Sequence, residues 1–320
     1  MLFGVFLFIL GGFLCLNHCY KHTKHWRVVS EQRQHISSAK GSCYDVVCFG
    51  SMYAKYDFDF TSFQRIRGFN FGFGSQFLFY TKAMIKEYCD CINKGGVVLL
   101  VIADLVFLKT GENEFGGYKR YYGILTKKNM PQFSIIEQYI YTEMPLLRKP
   151  WWAIKILKDY SGIDPSEIEE NKHTRNQVSE LAKKRIDSWC RTFGLPNSQD
   201  AIKLDNHENV FRNTTKILSD IIDFSLLSGF RPVIVIPPMS AEMNAIIGQG
   251  FLDSVLYNNI KQANSKSIPV LDYSKNKCLQ DYKLYFNADC LNKKGRKYFT
   301  HVVVKDLISL GLLEKETTER

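Results

Sequence analysis

From residue 44 onward, short apolar runs closed by glycine or proline alternate with longer stretches of helical periodicity. DVVCFG (45–50) is apolar and ends in glycine, which predicts a buried strand and a tight turn. RGFNFGFG (67–74) predicts a second short strand. SQFLFYTKAMIKEYCDCINKGG (75–96) predicts a helix opened by a serine cap and closed by a glycine pair. VVLLVIADLVFL (97–108) is too short to cross a membrane as a helix and fits a parallel strand buried on both faces. The rhythm resumes with a helix at 208–230, a strand at 231–238 stopped by prolines, a helix at 251–267, a strand at 268–274 and a last helix at about 291–312. Five strands alternating with helices predict an α/β protein with a doubly wound, five-stranded parallel sheet. Its site should lie beyond the carboxyl ends of the strands, where Gly50–Met52, Gly72–Gly74, Asp104, Pro237–Ser240 and the 274–290 loop share one edge.

Two regions depart from this rhythm. The first sixteen residues, MLFGVFLFILGGFLCL, carry no charge. As a helix they rise roughly 24 Å, slightly less than a hydrocarbon core of ~30 Å, and adding Asn17–Tyr20 makes a tilted span. No basic n-region and no small-residue cleavage site marks a secretory signal, so residues 1–20 read as an uncleaved anchor and 21–43 as a polar connector. Lys21, Lys24 and Arg27 follow the span, which by the positive-inside rule alone places that side in the cytoplasm; lysines on a start codon further upstream would reverse the argument. The stretch from about 110 to 200 reads as an insertion rich in aromatic and basic residues. Its Trp151 and Trp152 are candidates for stacking on sugar rings or for an interface; the alternative is packing of the insertion onto the sheet. Residues 313–320 form a polar tail.

Composition narrows the function classes. Of 320 residues, 45% are hydrophobic, 23% charged and 14% aromatic, as in a globular protein. The net charge of +10 suits an anionic partner such as membrane headgroups, cell-wall polymer or acidic polysaccharide, or else a solvated basic surface. The basic residues are scattered and no nucleic-acid signature accompanies them, so nucleic acid is not expected as a partner. The nine cysteines are irregularly spaced without a CxxC pair, which argues against a disulfide framework and against zinc. GFNFGFGSQ lacks the Gly-Lys-Ser/Thr ending of a phosphate loop, and no metal or cofactor is expected.

Four blocks, in order, carry a family likeness. DVVCFGSMYAKYDFDF, GFNFGFGSQ, VVLLVIAD and FNADCLNKKGRKYFT resemble the nucleophile, glycine, oxyanion and Asp-x-x-His blocks of SGNH/GDSL-type hydrolases, especially the membrane-anchored branch similar to the D-alanyl transfer protein of teichoic acid synthesis. The resemblance covers most of residues 44–310. It implies a three-layer, flavodoxin-like SGNH-hydrolase fold at 44–312 with an insertion, an extracytoplasmic domain, and work on a cell-surface polysaccharide or wall polymer as a serine esterase or acyltransferase.

That chemistry needs a serine activated by a histidine, an acid that orients the histidine, and amide donors for the oxyanion. Aligned on Gly50, the nucleophile position is Met52, whose thioether cannot form an acyl-enzyme. The acid position is Asn287, the base position Cys290 and the oxyanion asparagine position Asp104. Only Gly72 is retained. Three or four replacements in otherwise well-kept blocks point to a fold without its triad: a pseudoenzyme that binds a glycan or a glycan-synthesis partner protein. Two alternatives keep activity, with Ser51 re-aimed by a bulge or Cys290 as a thiol nucleophile. A third is a membrane-associated scaffold. His207 and His301 fall in helices without a carboxylate or cysteine at ligand spacing.

Overall fold

The computed structural model describes residues 2–103, 105–109, 117–158, 168, 171–195, 198 and 207–314. Along the chain, α1 (Leu2–Lys21) and α2 (Lys24–Ser37) precede β1 (Tyr44–Gly50), α3 (Met52–Asp57), β2 (Gly68–Asn70), α4 (Leu78–Glu87) and β3 (Ile92–Val101). Then come α5 (Ile135–Thr142), α6 (Pro145–Arg148), α7 (Ile154–Leu157), α8 (Arg175–Phe193), α9 (Glu208–Leu227), β4 (Arg231–Ile236), β5 (Val270–Asp272) and a C-terminal helix, Lys293–Ser309. The chain divides into two compact units, residues 1–38 with 113–164, and residues 39–112 with 165–320.

The second unit is an α/β domain. Its five strands are all parallel, in the order β2-β1-β3-β4-β5, the order of flavodoxin-like doubly wound sheets. Val97–Val101 of β3 are almost wholly buried, because helices cover both faces. Alternation sorts the side chains. Val46, Cys48, Val97, Leu99, Val233 and Val235 share a core with Phe299, Val303 and Leu307 of the C-terminal helix. The opposite face carries Val47, Phe49, Val98, Leu100 and Ile234, while α9 packs beside β4 and α4 and buries Leu218, Ile221, Ile222 and Ser225 at helical spacing. At the end of β1, Gly50 has φ +152° and sits opposite Val101; a Cβ there would lie 2.7 Å from the Val101 carbonyl oxygen. Glycine lets the two strands end side by side.

Several elements differ from their sequence expectations. The apolar run 97–108 is strand only to Val101. One further sheet bond joins the Ile102 amide to the Val235 carbonyl, and then Phe107 and Leu108 bury in a 3-10 turn. Continuous apolarity reported burial, and burial does not require a strand. Ser75 does not cap α4: it takes a left-handed φ of 55°, and the helix starts three residues later behind Phe77. The helix also ends before the glycine pair, at Tyr88, and Asn93–Gly96 already belong to β3. Conversely, β2 is shorter than 67–74, although the Phe71 and Phe73 amides continue bonding to the Cys48 and Gly50 carbonyls of β1.

The first unit gathers the expected anchor, connector and part of the expected insertion. The connector is largely helical: α2 is capped by Thr23, whose hydroxyl oxygen accepts from the Trp26 amide. The 20-residue α1 is long and apolar enough to cross a membrane, and almost none of it is buried. Its last turns are the exception. Asn17 donates to the Glu143 carbonyl and accepts from the Leu146 amide, and Lys21 pairs with Glu143 at 2.6 Å. Tyr20, Trp26 and Leu146 form a small core against which Phe13, Trp152 and Ile156 pack. The 110–200 stretch is thus not one insertion: 113–164 joins the first unit, and α8 belongs to the α/β unit.

Candidate functional site

A cavity of about 310 Å³ opens beyond the carboxyl ends of β1 and β3. These strands flank the point where the sheet order reverses, the usual ligand crevice of doubly wound sheets. Ser51–Tyr53 after β1, the 75–77 loop, Ala103, Lys109 and α8 line it, and its walls include Phe77, Leu105, Val106, Trp189 and Phe193. A mainly apolar crevice with a few polar groups is how small-molecule sites are built. The 237–240 and 274–290 loops meet on the same edge, where the Ser240 hydroxyl donates to the Ala288 carbonyl at 2.7 Å.

Met52 starts α3, and its sulfur lies 2.9 Å from Nη2 of Arg185 on α8. Arg185 Nε donates to Oδ2 of Asp289 at 2.8 Å, and the Tyr53 hydroxyl donates to the same oxygen at 2.9 Å. Asp289 is 1% exposed. Burial alone would lower the Arg185 pKa, but the Asp289 carboxylate outweighs it and holds the guanidinium above its ordinary value. It therefore stays protonated and cannot take a proton from a nucleophile. Thioether, guanidinium and carboxylate meet here in one hydrogen-bonded cluster, with the buried Asp289 oxygen shared by Arg185 and Tyr53.

Two further groups shape the site. Gln76 lines the cavity at 2% exposure. Its Nε2 donates to Oγ1 of Thr81, whose own proton goes to the Phe77 carbonyl, so the amide orientation is fixed. Oε1 is left as a buried acceptor with no partner among the described residues, a cost of about 1–3 kcal/mol that a ligand donor would relieve. Asp57, fully buried at the end of α3, accepts from the Leu291 amide at 3.0 Å, while Oδ2 has no partner among the described residues. Burial, reinforced by the nearby Asp289 charge, lifts its carboxyl well above the usual range despite the Leu291 amide.

Each residue singled out from sequence has a definite place. Met52 and Ser51 line the cavity; Ser51 is the N-cap of α3, but its side chain makes no capping bond. Asn287 lies in the last loop, where Oδ1 accepts from the Asp289 and Cys290 amides at 2.9 and 2.7 Å and fixes the turn. Cys290 is fully buried in the sheet core. Burial first, then the Asp289 and Asp57 charges, push its thiol well above the ordinary value, the reverse of an activated cysteine. The Gly72 amide is not free for an oxyanion: it donates to Oδ1 of Asn70 at 2.8 Å. Glycine is required there by packing, since a Cβ would stand 2.3 Å from the Lys55 nitrogen of α3. Asp104 lies outside the described residues. Trp152 stacks on Tyr20 at 5.8 Å and edges His25 in the first unit, whereas Trp151 is 68% exposed.

Sequence reasoning missed Arg185, Asp289, Tyr53 and Gln76. Asp289 was adjacent to positions already under suspicion, but Arg185 sits 104 residues away in a helix whose polar pattern reads as solvated. Among the described residues, no group of three or more His, Cys, Asp or Glu is placed to hold a metal ion. No protein-family model matches the chain, and no curated protein matches it.

Proposed function

We propose that this chain is a membrane-tethered protein of SGNH/GDSL type that has kept the scaffold of a surface-polymer esterase or acyltransferase and lost its chemistry. In this reading it binds a glycan in the modification of a cell-surface polysaccharide or wall polymer, with the α/β unit outside the cytoplasm and α1 as the tether. The observation that carries the proposal is the Met52–Arg185–Asp289 cluster: in this reading Met52 stands at the nucleophile position, and the group beside it is a guanidinium ion-paired to Asp289 rather than an imidazole. The five-strand order and the crevice at the β1–β3 reversal support the fold assignment. The buried, unpartnered Gln76 oxygen supports a ligand that brings a hydroxyl or amide donor.

The test is calorimetric titration of the full chain with O-acetylated polysaccharide fragments. Binding should weaken about tenfold, or ~1.4 kcal/mol, in Gln76→Leu, while the melting temperature holds or rises because an unpartnered acceptor has gone. Binding that is absent, or unchanged by the substitution, counts against the glycan role and favours a scaffold.

One observation favours a second reading, an active esterase using Ser51. Its hydroxyl lines the cavity and is not spent on capping α3. No histidine is among the residues lining that cavity, so this serine has no visible imidazole base.

A further inference from the structure

Residues 145–158, PLLRKPWWAIKILK, fold as α6, a 3-10 turn over Pro150–Ala153, and α7. One side of this segment packs on α1, where Trp152 and Ile156 meet Phe13 and Tyr20. The other side presents Trp151, Ile154 and Leu157, which are 68%, 56% and 87% exposed. Their three-residue spacing sets them in one stripe along the helical turns. A short helix that is apolar on both sides suits lipid rather than water. The same stretch carries Arg148, Lys149, Lys155 and Lys158 and no acidic residue, the charge pattern that draws interfacial helices to anionic headgroups.

Its position on α1 fixes the depth. The apolar run of α1 gives way after Leu16 to Asn17, His18 and Lys21, so the edge of a hydrocarbon core on this side falls at the turns that follow. Those turns, up to Lys21, are where the 143–156 stretch is attached. Asn17 would be costly there if bare, yet it is 5% exposed with both ends of its amide bonded to backbone.

We propose that residues 145–158 are a second, monotopic membrane contact, with the Trp151–Ile154–Leu157 stripe immersed at the headgroup–acyl boundary of an anionic bilayer beside α1. This rests on the reading of α1 as a membrane span. It makes the tether a seat: two contacts limit how the first unit can tilt on the lipid surface.

The full chain is reconstituted in phosphatidylcholine–phosphatidylglycerol vesicles with and without brominated acyl chains, and tryptophan emission is recorded. Brominated lipid should quench the wild type, and Trp151→Phe should lose most of that quenching with Trp26, Trp152 and Trp189 still in place. Equal quenching in both proteins overturns the proposal. Alkaline carbonate extraction in parallel reports on α1. Release from the vesicles overturns the span and the seat together, whereas retention with Trp151-independent quenching overturns the seat alone. A photo-crosslinking residue in place of Leu157 should yield lipid adducts; a protein adduct instead would assign the stripe to a protein partner and overturn the lipid contact.

Discussion

Arg185 is the only counterion drawn to Asp289 within ion-pairing distance among the described residues, and Asp289 cannot reach water. Removing one partner of such a pair leaves an uncompensated charge, which costs more than the pair itself contributes. Arg185→Met should destabilise the chain by roughly 2–4 kcal/mol, discounted for the partial exposure of the guanidinium. Adding Asp289→Asn should recover much of that loss; urea unfolding of the single and double variants measures both. Asp57 makes the opposite kind of prediction. Its carboxyl pKa is raised in the fold, so between the ordinary carboxylate range and the raised value the folded chain holds the extra proton. Stability therefore falls as pH rises from that range towards the raised value. Asp57→Asn should flatten this fall, so that its stability relative to wild type rises between about pH 4 and pH 7 in urea unfolding; an unchanged difference across that range would contradict it. At this scale the sequence pointed to positions but not to their spatial partners. Met52, Asn287 and Cys290 were singled out by a family resemblance, and of these only Met52 lines the cavity. Arg185 was unreadable because its partners lie 104 and 133 residues away, and nothing local distinguishes it from Lys183 or Lys184.

Between elements, α3 packs closely against the chain leaving β2. Asn70 ties the two together, donating to the Ala54, Lys55 and Phe58 carbonyls and accepting from Gly72. Gly72→Ala places a methyl against backbone rather than against a yielding side chain. The expected cost is about 1–3 kcal/mol through displacement of α3, visible as a lower melting temperature, and a rise or no change would show that α3 is free to move. Strand identity was legible where apolar residues run unbroken and both faces are covered, as in β1, β3 and β4. Strand limits were not, because Ile102, Ala103, Phe107 and Leu108 are as apolar as the strand yet bury beyond its end. The start of α4 was misplaced for a related reason: Ser75 has capping chemistry, but its left-handed backbone spends it in the loop that shapes the cavity.

For the whole molecule, the alternating pattern yielded the parallel α/β sheet, and the uncharged N-terminus yielded a helix fit to cross a membrane. The division of the chain was not legible. Residues 113–164 fold with α1 and α2 through Asn17, Tyr20 and Trp26, contacts more than a hundred residues apart that leave no local periodicity. The central claim is that the crevice of this fold binds without transferring an acyl group. Its most direct test treats the folded full-length chain with a fluorophosphonate probe and an aryl acetate, alongside Ser51→Ala, followed by mass spectrometry of the protein. The account expects no covalent adduct and no hydrolysis above buffer in either protein. A stoichiometric adduct or turnover in the wild type, mapped to Ser51 or Cys290 or abolished by Ser51→Ala, would contradict it and make this an active enzyme.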